Sequence, residues 1–263
     1  MPQRPSFMLS AYVAFDCFAL LMPIVIVCIL SFGGEGYLHF PPKSYSFRWF
    51  VTFFGDTRWQ QSLVSSTLIA LIACVIATSI GFIAAYALVR GEMRAKKFVL
   101  SLMLLPIIVP TVITAIAMYF LTAKLHLVGN TLWIGFCHAV VALPVVLLIL
   151  LASLQGVDIN LERAALSLGA SRTRVLFKVV VPIALPGVVS AALFAFLTSF
   201  DELVISIFLA GSRAQTLPVR IWNSLHLEIE PVVAAAATFL IGVTGLVLLA
   251  DGGLRRLRSR PRQ

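Results

Sequence analysis

Charge is the scarcest property of this chain. Only 12% of its 263 residues are Asp, Glu, Lys or Arg, against 60% hydrophobic. A water-soluble domain is about half apolar and about a quarter charged, so the composition excludes an ordinary soluble globule. Cysteine is rare as well. Cys17, Cys28, Cys74 and Cys137 all fall inside apolar runs with no CxxC spacing, which argues against a disulfide framework or a zinc site and reads them as small buried hydrophobes. No GxxxxGK[ST] stretch occurs, so the chain lacks a phosphate loop with which to hydrolyse ATP. No nucleophile–base constellation is evident, and the chain is not expected to be an enzyme. His138 has no second ligand at useful spacing, which favours a packed polar residue over a metal ligand.

The apolar residues gather into runs. A helix needs about 20 apolar residues to cross the hydrocarbon core. Six runs meet that length: Met8–Phe32, Gln61–Val89, Phe98–Leu121, Leu132–Ser153, Leu185–Leu209 and Pro231–Ala250. The sequence therefore predicts an all-α integral membrane protein, a single domain over residues 1–263, with a structured loop at 154–182. The first run has too long an apolar core for a cleaved signal peptide, and Ser31-Phe32-Gly33 lacks a small-residue cleavage site. Pro23, Pro106, Pro110 and Pro144 lie within the runs, where each removes a backbone donor and loosens the helix. Between Gly33 and Trp59, the aromatics Phe47, Trp49, Phe50, Phe53, Phe54 and Trp59 suit a short helix at the membrane interface.

The net charge of +9 comes with no nucleic-acid recognition motif, and its placement is that of a topology signal. With the N-terminus inside, fourteen basic residues fall on the inner side: Arg4; Arg90, Arg94, Lys96 and Lys97; Arg163, Arg172, Arg174 and Lys178; and Arg255, Arg256, Arg258, Arg260 and Arg262. Six remain outside: Lys43, Arg48, Arg58, Lys124, Arg213 and Arg220. That excess predicts that both termini are cytoplasmic.

The stretch Leu161–Gly187, LERAALSLGASRTRVLFKVVVPIALPG, is then an inside loop of unusual order. It reads as two short helices broken at Gly169 and stopped by Pro182 and Pro186. Asp158 or Asn160 can cap the first helix, with Glu162 in its favourable first turn. Leu161, Ala165 and Leu168 fall at i, i+4 and i+7 and give one apolar edge. Ala164 and Ala165 keep the surface thin enough for another protein to approach. Gly169 suits a left-handed C-terminal cap, and Ser171 can cap a second helix bearing Arg172, Arg174 and Lys178.

This spacing resembles the EAA loop of membrane subunits of bacterial ABC importers. That motif runs Glu-Ala-Ala, three residues, Gly, nine residues, then aliphatic, any, aliphatic and Pro; Ala164, Ala165, Gly169, Val179, Val181 and Pro182 stand in the matching places. The motif glutamate falls on Arg163, and Glu162 precedes it, pointing about 100° away around a helix. LLPIIVPTVITAIAMYF (104–120), SFDELVISIFLAG (199–211) and TLPVRIWNSL (216–225) look like the second permease of polyamine-type importers. The resemblance implies the type I importer permease fold in a bacterial inner membrane, and translocation of a polyamine or related small amine-bearing solute. It implies a second permease subunit, two cytoplasmic ATPases that bind ATP and Mg, and an external solute-binding protein as partners, with no cofactor on this chain. The ATPase contact would fall on Glu162, Arg163, Ala164, Ala165, Leu168 and Gly169. An ion-gradient-driven transporter and a noncatalytic membrane scaffold are the alternatives.

Few acids sit within the apolar runs. Asp201 and Glu202 interrupt the fifth, and such residues usually face a bundle interior or aqueous cavity. They could meet a cationic solute near the outer mouth, or pair with Arg213 or Arg220 to fix packing. Asp16 is similarly costly in the first run, whereas Glu228 and Glu230 favour the N-terminus of the last. In a cysteine-free background, externally added thiol reagent should label single cysteines placed in residues 33–59 and spare those placed after Gly252. External labelling of the tail in intact cells would overturn the six-span arrangement.

Overall fold

The computed structural model describes residues 7–92, 94–227 and 230–258. Arg4, Glu228, Arg260 and Arg262 lie outside them, as do the side chains of Arg255, Arg256 and Arg258. Among the described residues twelve α-helices follow one another: α1 (Phe7–Ser31), α2 (Arg48–Gly55), α3 (Thr57–Arg90), α4 (Lys96–Ile108), α5 (Thr111–Lys124), α6 (Thr131–Gln155), α7 (Ile159–Ser167), α8 (Arg172–Val175), α9 (Val181–Phe200), α10 (Val204–Leu209), α11 (Leu217–Leu227) and α12 (Val232–Arg258). A π-helical turn, Leu176–Val180, joins α8 to α9. Among the described residues five helices are long and apolar enough to cross a membrane, and six if the bent pair α4–α5 counts as one crossing.

Two crossings differ from the sequence expectation. The third is not one straight helix over Phe98–Leu121, because α4 and α5 meet at 100°. Pro106 and Pro110 are four residues apart, so the second proline ring would strike the carbonyl of the first and offers it no N–H. Val109, held before proline, takes the extended conformation instead (φ −77°, ψ 130°). Pro23 and Pro144, by contrast, stay inside unbroken helices. The fifth crossing starts earlier and ends sooner than Leu185–Leu209: helix runs from Arg172 to Phe200. Pro182 and Pro186 do not stop it. The π turn bonds Val181 N–H to the Leu176 carbonyl, five residues back. That widening relieves the clash a proline at 182 would otherwise meet.

The chain divides into two compact units, Met1–Gln60 with Arg220–Thr244 and Gln61–Val219 with Gly245–Gln263. In the first, α2 is a short aromatic helix within the stretch where the sequence suggests one. Its Phe53, 1% exposed, has ring centroids 5.7 Å from Trp59 and 5.5 Å from Phe239. The Arg220 guanidinium lies 5.2 Å from the Trp59 ring centre, a cation–π distance. Most of α1 is exposed, and Cys17 with it. Cys17 is therefore not the small buried hydrophobe expected from its apolar run, since no part of this unit covers that face. Cys137 is buried as expected.

In the second unit α6 is the central post. It buries Ala142, Val146, Leu147, Leu150 and Leu154 against a cluster that includes Val180, Ala184, Ala191 and Ala195 of the following crossing. Small residues let helix backbones approach closely, which is how helices gain packing energy where lipid offers no hydrophobic drive. Gly187 is the tightest case: a Cβ there would overlap Ser153 Oγ and Cβ outright. Gly187→Val should therefore cost about 1–3 kcal/mol by overpacking, read as a lowered melting temperature in detergent. Adding Ser153→Gly should recover part of that loss; no recovery would place the strain elsewhere.

Candidate functional site

The loop between α6 and α8 has the caps its sequence calls for. The Asp158 carboxylate accepts the Asn160 N–H at 2.9 Å and starts α7 at Ile159. At the other end Gly169 has φ +84°. Its N–H donates to the Leu166 carbonyl at 2.9 Å, and the Ala170 N–H donates to that of Ala165 at 3.1 Å. This pair of bonds is a Schellman motif. Ser171 then accepts the Arg174 N–H at 3.3 Å and opens α8.

Glu162 and Arg163 diverge by about 100° around α7. Glu162 is 7% exposed, and its Oε1 lies 2.7 Å from Nε of Arg90, the last residue of α3. The same guanidinium donates through Nη2 to the Val157 carbonyl at 2.6 Å. Arg163 is exposed. The inward residue is thus satisfied within the chain, whereas Arg163 has no ion pair among the described residues. Splitting a pair this buried costs about 3–5 kcal/mol, because it strands one charge. A cleft of about 770 Å³ lies between the end of α3 and the α7–α8 turn, lined by Tyr86, Arg90, Glu162, Arg163, Leu166 and Arg172 among others.

The outer face of α7 is apolar and basic. On that face Leu168 is 88% exposed and Leu161 48%, while Ile159 and Leu166 turn to the cleft beside α3. Ala164 is exposed, whereas Ala165 is half-buried, so the predicted edge of Leu161, Ala165 and Leu168 holds for its two leucines. Exposed leucines on a capped helix, with Arg163, Arg172 and Arg174 beside them, form an exposed apolar and basic patch.

Asp201 and Glu202 lie apart from this loop, in the break between α9 and α10 rather than within a crossing. Helix α9 ends with the Asp201 N–H on the Leu197 carbonyl at 3.0 Å. The Glu202 carboxylate accepts the Ile205 N–H at 3.0 Å and caps α10. Asp201 is exposed, and among the described residues its carboxylate has no ion pair, with Arg213 or any other base. His138 pins the break from behind. Its Nδ1 lies 2.8 Å from Ser199 Oγ and its Nε2 3.2 Å from Ser206 Oγ, one serine on each side. The sequence alone points to neither partner of His138 nor to Arg90 as a member of the loop. Their contacts span 61 to 72 residues. The one available signal was that Arg90 is the basic residue directly abutting an apolar run.

Residues 77–262 match the family described as binding-protein-dependent transport system inner membrane component. The chain is 33% identical over 238 residues to the spermidine/putrescine transport system permease protein PotC of Haemophilus influenzae, covering 88% of this chain and 90% of that protein. It is 31% identical over 258 residues to the putrescine transport system permease protein PotI of Escherichia coli, covering 91% and 90%. Among solved structures, a bacterial ABC transporter that imports the acidic polysaccharide alginate superposes with TM-score 0.73 at 13% identity, over 97% of this chain and 99% of that one. The inward-facing MetNI methionine ABC transporter gives 0.58 at 19% identity, over 78% and 100%. The fold is the all-helical type I importer permease fold.

Nothing lies within 4 Å of where a Gly169 Cβ would stand, so conformation and not space restricts this position. Gly169→Asn should be nearly neutral, since Asn tolerates a positive φ, while Gly169→Val should cost about 1–2 kcal/mol. Thermal unfolding of the two variants checks this; equal losses would mean that size is what matters.

Proposed function

The chain belongs to the family of binding-protein-dependent transport system inner membrane components, and from that premise we propose a specific division of labour for it. It is the membrane-spanning permease subunit of an ATP-driven importer carrying a polyamine, such as spermidine or putrescine, or a related small amine-bearing solute. ATP and Mg are held by cytoplasmic ATPase subunits, which dock on the outer face of α7. A second permease subunit completes the pathway, an external binding protein delivers the solute, and both termini lie in the cytoplasm of a bacterial cell with the chain in its inner membrane.

The observation that carries this reading is the capped helix with its exposed face. A nine-residue helix is too short to persist in water by propensity alone. Here it is fixed at both ends while Leu168 stands 88% exposed. Burying such leucines against a partner contributes roughly 1.5–3 kcal/mol each, and the adjacent arginines suit an apolar groove with an acidic rim. Movement of the docked ATPases would carry the loop with it and change which side of the membrane the pathway faces.

The amine part of the reading is supported by the names of the relatives and by Asp201. A carboxylate without an internal counter-ion attracts an ammonium group, and its position at the end of a crossing lets water and solute reach it. Glu202 has a different duty, since it caps α10. The test is uptake of labelled putrescine and spermidine by proteoliposomes holding the full complex. Asp201→Asn should lower uptake about tenfold, the loss of roughly one charged contact, with the ATPase still bound. Leu168→Asp should instead release the ATPase. Full cationic uptake by Asp201→Asn would remove that residue from the pathway, and retained ATPase in Leu168→Asp would remove α7 from the docking surface.

A further inference from the structure

We propose that Arg90 and Glu162 form a strut that passes movement of α7 to α3, so that both are positioning residues for coupling and not merely parts of a stable loop. The inference rests on the reading of α7 as the ATPase docking surface, and adds how a push on that surface reaches the membrane.

The geometry is that of a bridge. Helix α7 packs on α8 and on the π turn. Towards α3 it faces the cleft of about 770 Å³, with Tyr86, Ala87, Arg90 and Gly91 on one wall and Ile159, Glu162 and Leu166 on the other. Apolar contacts join the two sides in part, since Ala85 and Leu88 of α3 share one buried cluster with Val157 and Val175, with Tyr86 and Ala165 packed against it; the ion pair is the polar tie across the cleft. Arg90 also reaches the Val157 carbonyl at 2.6 Å, in the joint that links α6 to α7. One guanidinium therefore grips both the first turn of α7 and the corner from which α7 departs. Arginine presents donors in a fixed planar fork, so it can hold two acceptors in one geometry, which a lysine ammonium on a flexible stem does not do as rigidly.

The rest of the lever follows from length. Helix α3 has 34 residues and is about 50 Å long at 1.5 Å per residue. Arg90 is its last residue, so a displacement delivered there acts at the end of a stiff rod. The strut is also sheltered: the Arg90 side chain is 16% exposed and that of Glu162 9%. A pair so placed is screened by salt much less than a surface pair. If the pair served only stability, weakening it would lower the amount of folded transporter and leave each remaining molecule as efficient as before. As a strut, it sets the number of solutes moved per ATP.

The experiment uses Glu162→Gln, which keeps shape, together with Arg90→Lys, Arg90→Gln and the double Arg90→Gln/Glu162→Gln. Hydrogen exchange over residues 159–168 is measured on the purified permease without partners. Uptake per ATP hydrolysed is measured on the reconstituted complex with its ATPases and putrescine-loaded binding protein, per assembled complex. Exchange in Glu162→Gln should quicken about tenfold as the helix loses its tie to α3. Uptake per ATP should fall about fivefold or more while the ATPase remains bound. Arg90→Lys, which keeps the charge and loses one of the two grips, should lie between. The double variant should be no worse than the poorer single, as expected for groups acting as one unit. Unchanged exchange, normal uptake per ATP in Glu162→Gln, or additive losses would each overturn the strut. An unmodified complex whose permease binds no ATPase would instead sink the docking reading, and the exchange result would then stand or fall by itself.

Discussion

The constraint on which the structure depends is that hydrocarbon offers backbone N–H and C=O groups nothing to bond to. Long helices meet it almost throughout, and in α1, α3, α6 and α12 only the carbonyls four residues before Pro23 and Pro144 lose their usual donor. The informative places are the interruptions, each with its own substitute partners. At Val109 and Pro110 the chain turns by 100° where two prolines four apart leave a carbonyl without a donor. At Pro182 the helix survives by widening to an i→i−5 bond. At Asp201 it stops, and Glu202 and the Ser199–His138–Ser206 bridge hold the two ends.

The crossings were legible because their signal is long and local. The predicted Met8–Phe32, Gln61–Val89 and Leu132–Ser153 sit within four residues of α1, α3 and α6, whereas α12 runs eight residues beyond the predicted Pro231–Ala250. The caps were equally legible: Asp158, Gly169 and Ser171 act on atoms only a few residues away. Prolines were legible as irritants but not in outcome. Pro144 lies buried in α6, which is packed on several sides, while Pro110 follows a second proline and has exposed neighbours such as Ile107 and Ile108. Pro23 stays inside an unbroken helix that is largely exposed, so exposure alone does not break one, and the pairing of two prolines four apart is what sets α4–α5 apart. The side of α7 that Glu162 takes was legible only as an angle relative to Arg163. What it meets there depends on Arg90, 72 residues earlier, and no local pattern encodes that.

Scarcity of charge gives each remaining charge a definite place. Arg90 and Glu162 neutralise one another at the edge of a crossing. Arg163, Arg172 and Arg174 remain on the exposed side of the loop, and Asp201 stands in the break between α9 and α10. The two candidate surfaces thus carry opposite sign, basic where a protein would dock and acidic where a cation would pass. The chain that joins them, from Arg172 to Phe200, is one continuous helical element.

That element contains the π turn, and the turn has a rotational consequence. A π turn holds one residue more than an α turn would, and each residue advances side chains by about 100° around the axis. The turn therefore acts as a phase offset. It sets the bearing of Arg172 and Arg174 around the axis separately from the bearing of Ala184, Ala191 and Ala195, which pack on α6. The loop-facing and core-facing stripes of a single helix need share no common heptad. The orientation of the loop is thus tuned by how many residues the turn contains, and the packing of the crossing by which residues follow it.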